Sequence, residues 1–267
     1  MMGSAAKDTS ISSWPGFARS VRPYGKLLKE LHRFPDAVLV TGCQRSGTTA
    51  VARMISSSKG MRSHWVSRDD ELDGALILAG ESPHPGPGRY CFQTTYLNES
   101  FHEYFTLKDG VKIIWVLRNP YSVVYSMAYN WRRFALNELF MACGRESLTG
   151  RKRYLVDRFG TFIVPKLEKA CLAYNGKLNQ LAELEQHFGP EQLMVIDYDQ
   201  LVLQRAMHLP RLYDFIGLPF HPAYLDKINS RSLKKAEKMA VAQRRLIEKL
   251  SGPVYAGIRD RHGLTST

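Results

Sequence analysis

Two glycines frame a short polar turn near the start of the chain. Gly42 and Gly47 stand five positions apart in the segment TGCQRSGTT, directly after the apolar, β-branched run at residues 37–41. That run predicts a buried strand, and residues 50–58 predict a helix after the turn. A strand, a glycine turn and a helix N-terminus aim backbone N–H groups at one point. The segment therefore predicts an anion-binding loop.

This loop departs from the nucleoside-triphosphate loop at one residue. Its glycines have the spacing of GxxxxGK[ST], but Thr48 stands where that pattern has lysine. Because the lysine contacts the terminal phosphates in triphosphate hydrolases, its absence argues against hydrolysis of ATP or GTP. The cation of this loop comes earlier, at Arg45.

An arginine and a serine eight positions apart form a second candidate for anion binding. Arg118 follows the apolar run VKIIWVL at residues 111–117, and Ser126 lies two turns into the helix that Pro120 is expected to begin. Ligands of open α/β sheets bind outside the carboxyl ends of the strands, where Arg118 is expected. A planar guanidinium suits a phosphate and the serine adds a hydroxyl, so the pair predicts a phosphate site.

The two segments, in this order, resemble the donor-binding motifs of sulfotransferases that use 3'-phosphoadenosine-5'-phosphosulfate (PAPS). The likeness is to bacterial-type soluble members, with some features of the protein-tyrosine and carbohydrate branches. The resemblance implies transfer of a sulfuryl group from PAPS, with adenosine 3',5'-bisphosphate as the product and no metal. It also implies that Arg45 contacts the sulfuryl group and that Arg118 and Ser126 bind the 3'-phosphate. The residues implied to hold the 5'-phosphate are Ser46, Gly47, Thr48 and Thr49.

Two acidic residues are candidates for the base that takes the acceptor's proton during in-line transfer. Asp70 and Glu71 follow a strand expected at residues 64–66, and their offset from Arg45 resembles that of the acidic base in the protein-tyrosine branch. We expect catalytic roles for all three residues. Acidic residues are also favoured in the first turn of a helix, so Asp70 has an alternative role at the start of the helix expected over residues 69–79.

The resemblance is less complete at two other places. Gln93 stands where some family members carry a lysine, so neutralising the leaving group is expected to fall more heavily on Arg45. The stretch NSRSLKK at residues 229–235 resembles a basic loop near the family's 3'-phosphate, with Ser232 and Lys234 as the expected contacts. The alternative is a solvated start of an exposed basic helix.

Apolar runs alternate with helical patterns along the chain. This alternation predicts the α/β class, as a three-layer P-loop-type domain with a mainly parallel central sheet flanked by helices. We expect a basic N-terminal extension at residues 1–35 and a single sulfotransferase-like domain at residues 36–267. Strands are expected at residues 37–41, 90–94, 111–117 and 193–196. Helices are expected at residues 24–34, 50–58, 69–79, 120–131, 154–188 with a break near Pro165, and 233–250, with Asp199 capping the helix after the last strand.

The charge balance favours an anionic partner. Lys and Arg number 37 against 25 Asp and Glu, a formal net charge of +12.

The four cysteines have no metal-site spacing, so we expect free, mostly buried thiols and no metal site. Without an apolar signal segment or a membrane-span pattern, the expected location is cytoplasmic.

Two other functions fit part of the pattern. A nucleotide-dependent phosphotransferase or kinase would share the loop, but it needs the missing lysine and a magnesium carboxylate. A non-enzymatic basic protein would bind polyanions through the C-terminal basic stretch with a steep salt dependence. We expect a sulfotransferase, with no specific nucleic-acid partner. The acceptor, a hydroxyl or amine of a sugar, phenol, lipid or peptide, and the oligomeric state stay open.

Overall fold

A parallel sheet of four strands forms the centre of the protein. The computed structural model describes residues 11–67, 69–228 and 237–264. The strands lie in the order β2-β1-β3-β4, and each neighbouring pair is parallel, so their carboxyl ends share one edge. The bounds are β1 Val38–Gly42, β2 Cys91–Gln93, β3 Lys112–Leu117 and β4 Leu193–Asp197.

Helices cover both faces of the sheet. In chain order they are α1 Trp14–Ser20, α2 Thr48–Ser56, α3 Asp70–Ala79, α4 Pro120–Tyr129, α5 Arg133–Leu139, α6 Gly150–Phe159, α7 Lys166–His187, α8 Tyr198–Leu203, α9 Arg205–Phe215 and α10 Val241–Arg261. Short 3-10 and π turns connect several of them.

Alternate strand residues face two separate apolar cores. Leu39 and Trp115 join the larger core with α3, α4, α7 and α10, while Val40 and Val116 join the smaller core with α2, α8 and α9. Burial on both faces explains why the strands are continuous apolar runs rather than alternating ones. The expected α/β class, with a parallel sheet between helical layers, is confirmed.

The residues before β1 pack closely on the rest of the structure. Phe17 is fully buried, and the backbone N–H groups of Leu27 and Leu28 donate to the Glu103 carboxylate at 2.9 and 2.7 Å. The segment expected as a basic extension therefore contributes to the core within its described part.

The helix expected over residues 24–34 is wrong. Two short 3-10 turns, Arg22–Tyr24 and Leu31–Arg33, occupy that region instead. The backbone of Gly25 and Lys26 has φ of 62° and 57°, and this left-handed pair is incompatible with a continuous right-handed helix.

Three other expectations need correction or adjustment. The strand expected at residues 64–66 is wrong, since only an isolated bridge joins Arg62 to Tyr90 nearby. Asp197, not Asp199, caps α8, accepting from the backbone N–H groups of Asp199 and Gln200 at 2.9 and 3.1 Å. The final helix, α10, begins and ends later than expected.

The described structure also allows the state of the cysteines and the presence of membrane-spanning helices to be examined. Cys43, Cys91, Cys143 and Cys171 are buried and free, as expected. Across residues 11–67, 69–228 and 237–264, no helix combines the length and apolar character needed to cross a bilayer.

Candidate active site

The glycine loop lies at the carboxyl end of β1, where both glycines are sterically required. A Cβ on Gly42 would lie 2.5 Å from the Val116 carbonyl oxygen, and one on Gly47 would lie 2.5 Å from the Tyr198 ring. Their φ angles of 137° and 105° also favour glycine. The sequence forms this turn because only a residue without a side chain lets the loop lie against β3 and α8.

The loop presents polar groups that have no hydrogen-bond partner among the described residues. Ser46 is fully buried, and its Oγ has no hydrogen-bond partner in the described structure. Thr48 begins α2, so the free N–H groups of that helix point to the same end of the loop. An unpaired buried hydroxyl beside a helix N-terminus is suited to an anionic ligand.

The two arginine motifs come together at this edge of the sheet. Arg45 Nε donates to Ser126 Oγ at 3.0 Å, although 81 residues separate them in the chain. Burial and the neighbouring charge of Arg118 both lower the pKa of Arg45. Two adjacent guanidiniums and a buried serine therefore form one electropositive site.

Arg118 is held by the start of α8. Its guanidinium lies over the Tyr198 ring at 4.8 Å, and its Nε donates to Asp199 Oδ1 at 3.2 Å. Asn119 caps α4 by accepting from the Ser122 N–H at 2.8 Å, which fixes the turn after β3. Asp199, expected as a helix cap, is thus an orienting partner of Arg118.

The structure separates the two acidic candidates. Asp70 is buried and bidentate to Arg53, with Nε to Oδ2 at 2.8 Å and Nη2 to Oδ1 at 3.0 Å. Glu71 instead lines the cavity of the site. Its Oε1 accepts from Thr95 Oγ at 2.5 Å and its Oε2 from Gln93 Nε2 at 2.7 Å.

Burial changes the acidity of Glu71. Loss of solvation raises its pKa to about 8, and the charges of Asp69 and Asp70 add to the rise, while the Thr95 hydrogen bond opposes it. A carboxyl group with this pKa exchanges protons near neutral pH, as a general base must.

Gln93 connects the acidic group to the loop. Its side-chain nitrogen donates to both Glu71 and Thr48 Oγ, the latter at 3.2 Å. The position where some family members carry a lysine thus holds a neutral, doubly bonded amide.

One cavity of about 800 Å³ joins these groups. It contains Arg45, Glu71, Arg118 and Ser126 and continues past them toward the N-terminal segment and α5. The residues that line this continuation are Ser12, Ser13, Trp14, Pro15, Arg22, Tyr96, Trp131, Arg132, Phe134 and Glu138.

Several of these lining residues carry no sequence signal for a site. Trp14 lies 55 residues before its partner Asp69, whose Oδ2 accepts from the indole Nε1 at 2.8 Å. Tyr198 supports Arg118 from the start of α8, where the sequence predicted only a helix cap at Asp199. Only the three-dimensional contacts identify Trp14 and Tyr198 as parts of this region.

The predicted contacts with the 3'-phosphate and the possibility of a metal site are considered next. Ser232 and Lys234 lie outside the described residues. Among the residues that the structure describes, no group of three or more His, Cys, Asp or Glu side chains has a metal-binding arrangement.

Comparisons with known proteins identify the family. A family model described as a sulfotransferase domain matches residues 87–251, more than half of the chain. The match includes Arg118 and Ser126 and begins after the glycine loop. The bifunctional heparan sulfate N-deacetylase/N-sulfotransferase 1 of Caenorhabditis briggsae is 24% identical in a match covering 70% of this chain. The chain spans only 23% of that relative's length.

Solved structures show the same fold at low sequence identity. A sulfotransferase from Alicyclobacillus acidocaldarius has a TM-score of 0.53 and 15% identity, covering 86% of this chain and 96% of that one. A sulfotransferase from Mycobacterium avium has a TM-score of 0.51 and 11% identity, covering 88% and 81%. The sulfotransferase domain of the Synechococcus PCC 7002 olefin synthase has a TM-score of 0.50 and 14% identity, covering 81% and 94%. The sequence match and the parallel α/β fold together show that this chain belongs to the sulfotransferase family.

Proposed function

We propose that this sulfotransferase takes its sulfuryl group from PAPS and transfers it to a hydroxyl or amine of an acceptor. The observation that carries the choice of donor is the contact between Arg45 and Ser126 at 3.0 Å. It joins the glycine loop to the Arg118 site in one cavity. A nucleotide with anionic groups on both its 5' and 3' positions requires two adjoining anion sites of this kind.

The residues of the loop fit the 5'-phosphosulfate end of the donor. Ser46 Oγ is buried and has no partner in the part of the chain that the structure describes, and a Cβ on the next residue, Gly47, would lie against the Tyr198 ring. We assign the 5'-phosphate to the loop donors, with Arg45 at the sulfuryl end. These loop donors are Ser46, Gly47, Thr48 and Thr49.

The second site fits the 3'-phosphate. Arg118 and Ser126 are both almost completely buried, and a buried guanidinium beside a hydroxyl matches a phosphate well. Asp199 and Tyr198 orient the guanidinium. We also retain Ser232 and Lys234 as proposed contacts of the 3'-phosphate.

In this proposal different residues of the chain have separate roles in the transfer. PAPS supplies an activated sulfuryl group, whose bond to the 5'-phosphate oxygen breaks as the acceptor's oxygen or nitrogen bonds to sulfur. Arg45 counters the negative charge that develops on the leaving phosphate. Glu71 accepts the acceptor's proton, and Gln93 and Thr95 hold its carboxyl group toward the cavity.

Of the two acidic candidates, the contacts favour Glu71 as the base. Asp70 uses both carboxylate oxygens on Arg53, and it does not line the cavity. Glu71 lines the cavity, and its two oxygens accept from the neutral side chains of Thr95 and Gln93 rather than from a cation, so it can take a proton there. We therefore propose that Asp70 stabilises the start of α3 and that Glu71 takes the proton.

The far end of the cavity suggests an acceptor with a ring and an anionic group. Aromatic side chains line it, including Trp14 and Phe134. Arg22 and Arg132 also line it, and neither forms an ion pair with another described residue; Arg22 Nε is buried without a partner. Rings pack against aromatic faces, and unpaired guanidiniums bind carboxylate, sulfate or phosphate groups.

A transfer assay tests this function. The purified chain, incubated with PAPS and a mixed panel of phenols, sugars and amines, is expected to release adenosine 3',5'-bisphosphate and a sulfated product in the presence of EDTA. A magnesium-dependent transfer of phosphate from ATP to the same panel, without sulfated product, would support a phosphotransferase instead.

A further inference from the structure

Helix α7 carries a lysine inside the protein that is connected to the glycine loop through the Asn98 side chain. Lys177 is 1% exposed and ranks with the largest fully buried side chains. Its Nζ lies 5.9 Å from the centre of the Trp115 ring on β3 and 3.5 Å from Asn98 Oδ1. Within the described residues no carboxylate is close enough to form an ion pair with it. Burial lowers its pKa, although the thiols of Cys143 and Cys43 and the charge of Glu71 oppose that effect.

Such a position is costly for an ammonium group. Burying an unpaired charge is strongly unfavourable, so the side chain would be expected to be replaced by an apolar residue unless its charge is used. Lys169, two turns earlier on the same helix, shows the contrast. It is also buried, but its Nζ donates a short hydrogen bond of 2.6 Å to Asn137 Oδ1, and neither residue lines the cavity of the site.

Hydrogen bonds connect Lys177 to the proposed donor site. Asn98 Oδ1, which receives the ammonium, also accepts from Gln44 Nε2 at 3.0 Å. The same Gln44 nitrogen donates to the Thr95 carbonyl at 2.8 Å. Gln44 belongs to the glycine loop, and Thr95 holds Glu71. One buried cation thus connects to the anion-binding loop and to the proposed base.

We propose that Lys177 is a positioning residue for the donor: its buried charge stabilises the anion bound on residues 42–49, and its bond to Asn98 fixes Gln44. The proposal rests on the proposed binding of PAPS. Because the protein interior screens charge weakly, a cation beneath the loop acts on a bound phosphate without touching it.

A space-filling role and an electrostatic role of Lys177 predict different affinities for the bisphosphate when the lysine is replaced. A lysine that only fills space can be replaced by methionine, and removing its buried charge leaves the fold as stable or more stable. A lysine that serves the anion site loses its function in the same change. Affinity for the donor product and stability are therefore expected to change in different directions.

The test is calorimetric binding of adenosine 3',5'-bisphosphate to the native chain, K177M and the matched control K169M, with thermal melting of each protein. We expect K177M to bind the bisphosphate about tenfold more weakly, with an unchanged or higher melting temperature. K169M is expected to keep the native affinity.

Other results overturn the proposal in distinguishable ways. Native affinity in K177M, or a loss of affinity matched by K169M, removes any special role for Lys177. Weaker binding together with a lower melting temperature shows that Lys177 is structural. A native chain that does not bind the bisphosphate overturns the proposed donor, and with it this inference.

Discussion

Glu71 is the residue on which the proposed proton transfer depends. Its pKa is raised to about 8, so its ionised, proton-accepting form increases as the pH rises toward 8. We expect the rate of transfer to a phenol or alcohol acceptor to rise through this range. E71Q, which keeps the size but cannot take a proton, is expected to lower kcat/KM by about 10²- to 10⁴-fold and to abolish this rise. Initial rates between pH 6 and 9 measure both effects.

Its neighbour supplies the matched control. D70N removes the ion pair with Arg53 but leaves the cavity unchanged. It is expected to reduce stability modestly and to keep the rise in rate, displaced to lower pH because the Asp70 charge that adds to the raised pKa of Glu71 is removed. If D70N loses the profile and E71Q keeps it, the two roles are reversed.

The raised pKa of Glu71 also determines the direction in which pH changes the stability of the fold. The folded chain holds this proton more tightly than the unfolded chain, where the pKa is near 4.5. The stability from this group is therefore complete at low pH and is lost as the pH rises from about 4.5 to about 8. Relative to E71Q, the native melting temperature should fall across that range.

Sequence identified the acidic pair but not which member enters the site. Consecutive residues on a helix point about 100° apart, so only one of two neighbours can face a given cavity. Which one does so depends on how α3 packs against β2, and on Arg53 being available to Asp70. No local pattern at residues 69–71 carries that information.

At the level of elements, the glycine loop must lie against α8. G47A places a Cβ 2.5 Å from the Tyr198 ring, which supports Arg118. We expect it to weaken binding of adenosine 3',5'-bisphosphate more than tenfold and to destabilise the fold by about 2 kcal/mol. Titration calorimetry and denaturant unfolding measure these changes.

A second glycine, Gly86, provides a control that separates the effect of backbone strain from that of the contact with Tyr198. Gly86 also has a left-handed backbone, with φ 98°, but a Cβ there meets nothing within 4 Å. G86A is expected to cost only the strain of about 1 kcal/mol and to keep native affinity. Equal losses of affinity in both variants would show that strain alone accounts for the G47A effect.

The N-terminal segment is expected to select the acceptor. Arg22 lines the far end of the cavity, whereas Arg19 on α1 is exposed outside it. Using paired acceptors that differ only in a carboxylate, such as a glucuronide and the matching glucoside, we expect the native chain to prefer the acid. R22Q is expected to raise KM for the acid about tenfold and leave the neutral partner unchanged, while R19Q changes neither. A native preference for the neutral sugar contradicts an anionic acceptor.

The elements themselves were predictable where burial is uniform. The strands β1 and β3 stood out because both faces of the sheet are covered, which leaves continuous apolar runs. Local backbone conformation was not visible in the pattern of residues 24–34, where the left-handed pair at Gly25 and Lys26 prevents a helix. The packing of the N-terminal segment depends on distant partners and was missed.

For the whole molecule, the net charge of +12 alone does not distinguish an enzyme from a polyanion-binding protein. The distinction comes from where charge is buried. Arg118 is 3% exposed, oriented by Asp199, and adjoins Ser126 and Arg45 in one cavity. Surface charge binds any polyanion, whereas buried, oriented charge selects a ligand of matching shape.

The most direct measurement of this selection is calorimetric binding of adenosine 3',5'-bisphosphate against AMP, without metal, to the native chain and two serine variants. S126A removes the hydroxyl beside Arg118. S122A removes another buried hydroxyl of α4, which has no hydrogen-bond partner among the residues that the structure describes and lies outside the cavity lining. We predict that the native chain and S122A bind the bisphosphate at least about tenfold more tightly than AMP, and that S126A reduces this ratio. Equal binding of the two nucleotides by the native chain, or binding of neither, would contradict the PAPS site.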